Sequence, residues 1–252
     1  MTSETLDKSK DDSMERPLSP GEIVGLFALV LTMYPVCLGS IFFAGAYIHS
    51  YPDSPPLWYG FWASIGGLTT VGLVSVALLL DCPRLVRQRM AKTMAGKTES
   101  SSEQLFHKLT SAVFLSAMLG MGYEGVGRRD SFPHKLVWVA LAVYASSMMW
   151  IIYVFRSNKY AARIVFVQKG QQLISTGPYA IVRHPMYMGI IPMCLSLPLI
   201  VGSVWPVIPM ALCAVFTGIR TYDEEEFLVR TFGDEYLDYR KKVPYRMIPL
   251  VF

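Results

Sequence analysis

His184 to Ile219 reads HPMYMGIIPMCLSLPLIVGSVWPVIPMALCAVFTGI, and these 36 residues contain no Asp, Glu, Lys or Arg. A helix crosses a bilayer with ~20 apolar residues, so the run is long enough for two tight spans. Pro192, Pro198, Pro206 and Pro209 interrupt it, and Gly202-Ser203 stands near its middle beside Trp205-Pro206. Proline removes a backbone donor and kinks a helix, and Gly-Ser next to Trp-Pro suits a turn at a membrane interface. The stretch therefore predicts a helical hairpin, with one bent helix plus a re-entrant piece as the alternative. A hairpin returns both of its ends to one membrane surface.

Working outward, residues 23–52, 54–80, 109–123 and 136–155 are also free of charged side chains. They predict spans near 23–48, 57–80, 107–123 and 135–155. The chain of 252 residues is 52% hydrophobic and only 17% charged, with mean hydropathy +0.36. Soluble domains carry about 25% charged residues, so a water-soluble enzyme or a disordered protein is excluded. The expected fold is all-α and polytopic, with about five to six membrane helices and a C-terminal helical hairpin. Residues 1–21 read as a flexible tail, 22–155 as N-terminal membrane helices, and 156–252 as the functional core. No internal repeat suggests the inverted halves of a transporter.

Basic residues mark the cytosolic side of short loops. With these spans, 20 of the 23 Lys and Arg fall on one side, leaving Arg128, Arg129 and Lys135 on the other. Both ends of the chain are therefore expected in the cytosol. The asymmetry accounts for the net charge of +4 without nucleic acid. Residues 1–20 are polar and of mixed charge, unlike a cleaved signal peptide. Cys37, Cys82, Cys194 and Cys213 lack metal-ligand spacing, so no metal site or disulfide framework is expected.

Polar density gathers in two stretches flanking the hairpin, from Gln168 to Tyr187 and from Arg220 to Glu226. In the first, Gly177-Pro178 signals a turn, and His184-Pro185 opens a helix with proline at its first position. His184, Tyr187 and Met188 share a face by helical spacing. In the second, Arg220 and Glu224 stand four apart and could form a simple ion pair, with Asp223–Glu226 a solvated acidic face. Alternatively, these acids receive a polar, partly cationic ligand in a pocket shared with the first stretch.

Gly177-Pro178-Tyr179, Arg183-His184-Pro185-x-Tyr187-x-Gly189 and Arg220-x-x-x-Glu224-Glu225-x-x-Leu228 occur in that order. Phe232-Gly233-x-Glu235-Tyr236-x-x-Tyr239 and Val243-Pro244 follow. Over about residues 160–252 this combination resembles the isoprenylcysteine carboxyl methyltransferase family, within the wider group of integral-membrane methyltransferases. The resemblance implies S-adenosylmethionine as methyl donor and a lipophilic acceptor, first of all the carboxylate of a prenylated cysteine. It implies donor contacts from Gln168, Gln171, Gln172, Leu173, Ile174, Tyr179, His184, Pro185, Met186, Tyr187 and Glu224, with Arg220 facing the acceptor. The acceptor's lipid part would enter from the bilayer, and an endoplasmic reticulum membrane is the expected location in a eukaryote.

The chemistry agrees with these residue types. Acids can accept from the donor's amino or ribose groups, and donors near a helix start can take its carboxylate. An ionised carboxylate acceptor requires no general base, and arginine can hold it by charge-assisted contacts. Rival expectations are O-, N- or S-methylation of another small lipophilic molecule, a sterol-reductase-like oxidoreductase, or a non-catalytic membrane binding protein. Segment Thr221–Lys242 is expected to form an amphipathic surface helix broken near Gly233, lying over the donor.

Overall fold

The computed structural model describes residues 16–48, 59–83, 86–87, 101–127, 132–158 and 172–252. Helices α1 (Pro20–Ile48), α2 (Tyr59–Leu79), α3 (Ser101–Gly127) and α4 (His134–Ser157) precede a 3-10 turn at Gly177–Ala180. Helices α5 (Pro185–Ile200), α6 (Val207–Phe232) and α7 (Asp234–Lys242) follow. Among the described residues there is no strand, and the protein is an all-helical, polytopic membrane protein. Three segments, Pro20–Gly45, Gln104–Val126 and His134–Ser157, are long and apolar enough to cross a bilayer, and Ser64–Leu79 and Pro185–Ile200 are shorter apolar helices.

The six longer helices pack in a closed cycle. Going round it, α1 contacts α3, α3 contacts α6, α6 contacts α5, α5 contacts α4, α4 contacts α2, and α2 returns to α1. Phe42, Leu68, Met121, Tyr144, Ile200 and Met210 fill the middle, each from a different helix. Because lipid tails compete for apolar side chains, close backbone approach contributes much of such packing. A Cβ on Gly122 would lie 2.4 Å from the Ile41 carbonyl oxygen, so only glycine allows α1 and α3 to meet there.

Polar clasps gather at one end of this cycle. Ser19 and Glu22 exchange side-chain and backbone bonds as a capping box that starts α1. The Glu22 carboxylate then accepts two bonds from Arg87, beyond α2, at 3.0 and 3.1 Å. Arg156, at the end of α4, pairs with Asp81 and donates to the Leu78 carbonyl at 3.0 Å. The start of α1 and the ends of α2 and α4 therefore share one side, which we call the basic side. This is the alternation expected from the Lys and Arg positions.

The hairpin forms, and its break falls at the Gly202-Ser203 and Trp205-Pro206 turn signals. Helix α5 continues through Pro192 and Pro198, and the turn comes only at Val201–Pro206, where Gly202 has φ +79°. Glu124 of α3 holds this far end. Its Oε2 accepts from Trp205 N at 2.8 Å, Val204 N at 3.0 Å and Ser203 Oγ at 3.2 Å, neutralising donors at the start of α6.

Two expectations need correction. The third span, expected at 107–123, is longer: α3 runs from Ser101 to Gly127, its polar first turns lying outside the apolar run. Nor does a separate surface helix begin at Thr221. Helix α6 is continuous from Val207 to Phe232, because nothing between Ile219 and Tyr222 breaks it. Only α7 is separate, set off by Gly233 at φ +56°.

Candidate functional site

The hairpin brings its two ends together on the basic side. His184 caps α5, and Pro185 takes the first helical position, where its missing N–H costs nothing. Trp150 of α4 donates to the Pro185 carbonyl at 2.7 Å. A Cβ on Gly189 would fall 2.7 Å from Ile151 Cγ1, so α4 lies tight against the first turns of α5. Before it, the 3-10 turn presents Tyr179, whose hydroxyl accepts from Asn158 at 2.9 Å and whose carbonyl accepts from the Tyr239 hydroxyl at 2.7 Å.

The His184 ring sits between two acids of α6. Its Nδ1 is 3.4 Å from Glu224 Oε2 and its Nε2 is 3.4 Å from Glu225 Oε1. The Tyr187 ring stacks on it at 5.9 Å, and the Tyr187 hydroxyl donates to Glu224 Oε1. Arg220 Nε reaches the same oxygen at 2.9 Å, one turn earlier on α6, and its guanidinium lies 4.9 Å from the Phe106 ring of α3. Arg220 thus makes the i,i+4 pair that its spacing allows. Glu224 retains 15% side-chain exposure against 4% for Glu225.

Glu225 serves the frame. Arg183 Nε donates to it at 2.7 Å, and Arg246 Nη2 approaches its other oxygen at 3.3 Å. Arg183 Nη1 also donates to the Val243 and Pro244 carbonyls at 2.8 and 2.7 Å. The Arg183 and His184 amides donate to the Tyr245 and Arg246 carbonyls at 3.0 and 2.7 Å. The segment Val243–Arg246 is thereby laid against the start of α5. The Arg246 guanidinium also covers the Tyr222 ring at 3.7 Å.

These contacts set the charges. Burial opposes ionisation of all three central groups. For His184 the two carboxylates outweigh burial and hold its pKa above the ordinary histidine value. For Glu224, the bonds from His184 and Tyr187 and the nearby Arg220 charge outweigh burial and lower its pKa. Glu225 is pulled down to about 2 by His184 and Arg183 despite its burial.

Of the residues expected in the site, His184, Tyr187, Glu224 and Arg220 converge. Pro185 and Tyr179 stand beside them, and Met186 is half-buried in the first turn of α5. Leu173 packs on the Tyr236, Tyr239 and Val243 cluster, Ile174 is half-buried, and Gln172 is exposed. Gln168 and Gln171 lie outside the described residues. The four acids Asp223–Glu226 are not one solvated face: Asp223 and Glu226 point outward, whereas Glu224 and Glu225 turn in. Sequence reasoning placed no role on Arg183, Glu225 or Arg246. Arg183 and Glu225 adjoin His184 and Glu224 in the same motifs, but nothing local announced Arg246. Among the described residues, no group of three His, Cys, Asp or Glu could hold a metal ion.

Residues 136–235, from the first turn of α4 into α7, match the family described as phospholipid methyltransferase. The chain is 32% identical over 135 residues to a protein-S-isoprenylcysteine O-methyltransferase of Schizosaccharomyces pombe, covering 48% of this chain and 56% of that one. It is 29% identical over 93 residues to a Δ14-sterol reductase of Methylotuvimicrobium alcaliphilum, covering 36% of this chain and 22% of that one. The chain thus spans little more than half of the first relative's length and less than a quarter of the second's. A solved structure of the eukaryotic intramembrane Ras methyltransferase, isoprenylcysteine carboxyl methyltransferase, superposes with TM-score 0.54 at 18% identity, covering 91% of this chain and 83% of that one. The chain therefore shares the fold of isoprenylcysteine carboxyl methyltransferase and, from α4 to the start of α7, matches the phospholipid methyltransferase family in sequence.

Proposed function

We propose that this protein is a membrane-embedded methyltransferase that uses S-adenosylmethionine to methylate a lipophilic acceptor, first of all the carboxylate of a prenylated cysteine. The observation that carries the reading is Glu224: a partly exposed carboxylate, kept ionised by His184, Tyr187 and Arg220, at the mouth of the hairpin. This residue set fits the proposed donor. Glu224 suits its ammonium or ribose hydroxyls, and the start of α5 suits its carboxylate. Tyr179, Pro185, Met186, Tyr187, Leu173 and Ile174 would supply the walls, with Gln168, Gln171 and Gln172 in the preceding loop.

The bound sulfonium supplies an electrophilic methyl carbon. An acceptor carboxylate, already ionised, would require no general base from the protein. The protein's work is then orientation and exclusion of water. Arg220 would turn from Glu224 to hold the acceptor carboxylate, while the acceptor's lipid part stays in the bilayer. The same reading puts the basic side, with both ends of the chain, in the cytosol, and in a eukaryote puts the protein in the endoplasmic reticulum membrane. A sterol-reductase-type activity has less support, because the chain spans only 22% of the sterol reductase it resembles.

The test is transfer of labelled methyl from S-adenosylmethionine in membranes containing the chain, with and without a farnesylcysteine analogue. Base-labile label that requires the analogue and disappears in Glu224→Gln is the expected result. Donor binding without transfer to the analogue would redirect the search to O-, N- or S-methylation of other lipophilic molecules. Folded protein that binds no donor would overturn the methyltransferase reading and favour a non-catalytic binding protein.

A further inference from the structure

Helix α6 carries a continuous apolar stripe. Ile208, Leu212, Val215, Ile219 and Tyr222 are all exposed, and their spacing of four and three residues keeps them on one face. Between Ile208 and Ile219 the other exposed residue of α6 is Ala211. The stripe ends abruptly. One turn beyond Tyr222 the same face carries Glu226, which pairs with Arg230 in the open. The lipid boundary on this helix therefore falls between Tyr222 and Glu226, and a tyrosine at that level is a usual interfacial residue.

The segment after α7 returns to this level. The Phe252 ring meets the Tyr222 ring at 6.3 Å, and Arg246 packs between them, 3.7 Å from Tyr222 and 5.5 Å from Phe252. From here the chain closes a tight loop. Met247 N and Ile248 N both donate to the Phe252 carbonyl at 2.8 Å, and Phe252 N donates back to the Ile248 carbonyl at 2.9 Å. Leu250 stands at the tip with φ +66°, a conformation that L side chains rarely adopt. The loop thus turns Leu250 and Val251 outward, 81% and 76% exposed, with Ile248 at 44% beside them. Met247, by contrast, is buried. Three large aliphatic side chains held outward at the depth where the apolar stripe of α6 meets water need an apolar neighbour, and the bilayer is already there.

We propose that the loop Met247–Phe252 is an interfacial membrane anchor, which seats Leu250 and Val251 in the lipid leaflet on the basic side. The occupant of this surface is the bilayer, because the loop continues the lipid-facing stripe of α6 through Tyr222. The anchor does not depend on the methyltransferase reading and goes beyond it. It holds down the segment whose Tyr245 and Arg246 carbonyls accept from the Arg183 and His184 amides and whose Arg246 side chain reaches Glu225.

The experiment is spin labelling of the full chain in lipid nanodiscs. Cys37, Cys82, Cys194 and Cys213 are replaced by alanine, and single cysteines are introduced as Leu250→Cys, Val251→Cys and, for comparison, the exposed Lys242→Cys. Labels at 250 and 251 are expected to collide more with oxygen, which concentrates in lipid, than with a water-soluble nickel chelate. The label at 242 should show the reverse. Equal, water-like ratios at all three positions would overturn the anchor and leave the surface to a protein partner. Leu250→Trp in the native-cysteine background gives a reading that is independent of the cysteine replacements. Added fluorescence quenched by chain-brominated lipid supports the anchor, and added fluorescence quenched only by acrylamide overturns it. Neither readout requires enzymatic activity.

Discussion

Arg183 and Glu225 come from opposite arms of the hairpin and meet at 2.7 Å, each less than 10% exposed. Each is the partner that makes the other's burial tolerable. Breaking a buried pair typically costs about 3–5 kcal/mol, and less where other charges stay in place, as His184 and Arg246 do beside Glu225. Arg183→Met and Glu225→Gln are therefore expected to lower the melting temperature of the detergent-solubilised protein sharply, and donor binding with it. Arg183→Lys should recover part of both, because it keeps the charge and loses the fork that also reaches the Val243 and Pro244 carbonyls. A melting temperature unchanged in Arg183→Met would refute the brace.

Glu224 should behave differently. It is the more open acid, so Glu224→Gln is expected to leave the fold largely intact while donor affinity falls at least tenfold. That corresponds to about 1.4 kcal/mol or more, within the range of a charge-assisted hydrogen bond. Titration calorimetry beside a melting curve separates the two effects, and an affinity equal to wild type would remove Glu224 from the donor site.

The central charges give stability two pH limits. The Glu225 pKa is lowered from 4.5 to about 2, so its contribution is fully present above 4.5 and is lost as pH falls toward 2. The His184 pKa is raised from 6.5, so its contribution is complete below 6.5 and is lost as pH rises through the folded value. Melting temperature should therefore be highest between about pH 4.5 and 6.5 as far as these groups decide it. Glu225→Gln should reduce the acid limb, to which Glu224 also contributes, and His184→Gln should flatten the alkaline one. Limbs that keep their slopes in these variants would assign the pH dependence elsewhere.

Gly189 tests the seam between α4 and α5. A methyl group there would press on Ile151 Cγ1 at 2.7 Å and Trp150 Cδ1 at 2.9 Å, and overpacking of this kind costs about 1–3 kcal/mol. Trp150 must then shift and loosen its bond to the Pro185 carbonyl. Gly189→Ala is expected to lower thermal stability and also to weaken donor binding, since the same helix start carries His184. Unaltered melting would show that the seam yields easily.

Glu124 lies at the far end of the hairpin, and its loss should not reach the donor. Glu124→Ala leaves the Val204 and Trp205 amides of this exposed turn to water, and losing a carboxylate that caps such donors costs about 0.5–2 kcal/mol. Stability should fall while donor affinity, expressed per folded molecule, remains that of wild type. A parallel loss of affinity would mean that the two ends of the hairpin are coupled.

The membrane helices were legible because absence of charge over a long run is a strong signal, and helices α1, α2 and α4 begin and end within about three residues of expectation. Helix α3 outran its apolar segment because Ser101–Lys108 is polar yet contains nothing that stops a helix. His184, Tyr187, Glu224 and Arg220 could be read from i,i+3 and i,i+4 spacing combined with the hairpin. The inward turn of Glu225 could not, since neighbouring acids look alike until the arginines that select one of them are in place. Arg246 was hidden for a related reason: its role depends on a long-range return of the backbone to Arg183 and His184, which no local pattern encodes.

Helix α6 is one unbroken rod. Glu124 pins the turn just ahead of it, and Glu224 lies 17 residues beyond its first residue, Val207, about 26 Å along the axis at 1.5 Å per residue. The rod therefore works as a depth gauge, fixing how far from the opposite leaflet the reacting atoms can lie. On the methyltransferase reading, acceptors are sorted by where their reactive group floats along the membrane normal before any side chain examines its shape. Lengthening α6 by one residue ahead of Ile219 would move the gauge and turn the acids by about 100° together.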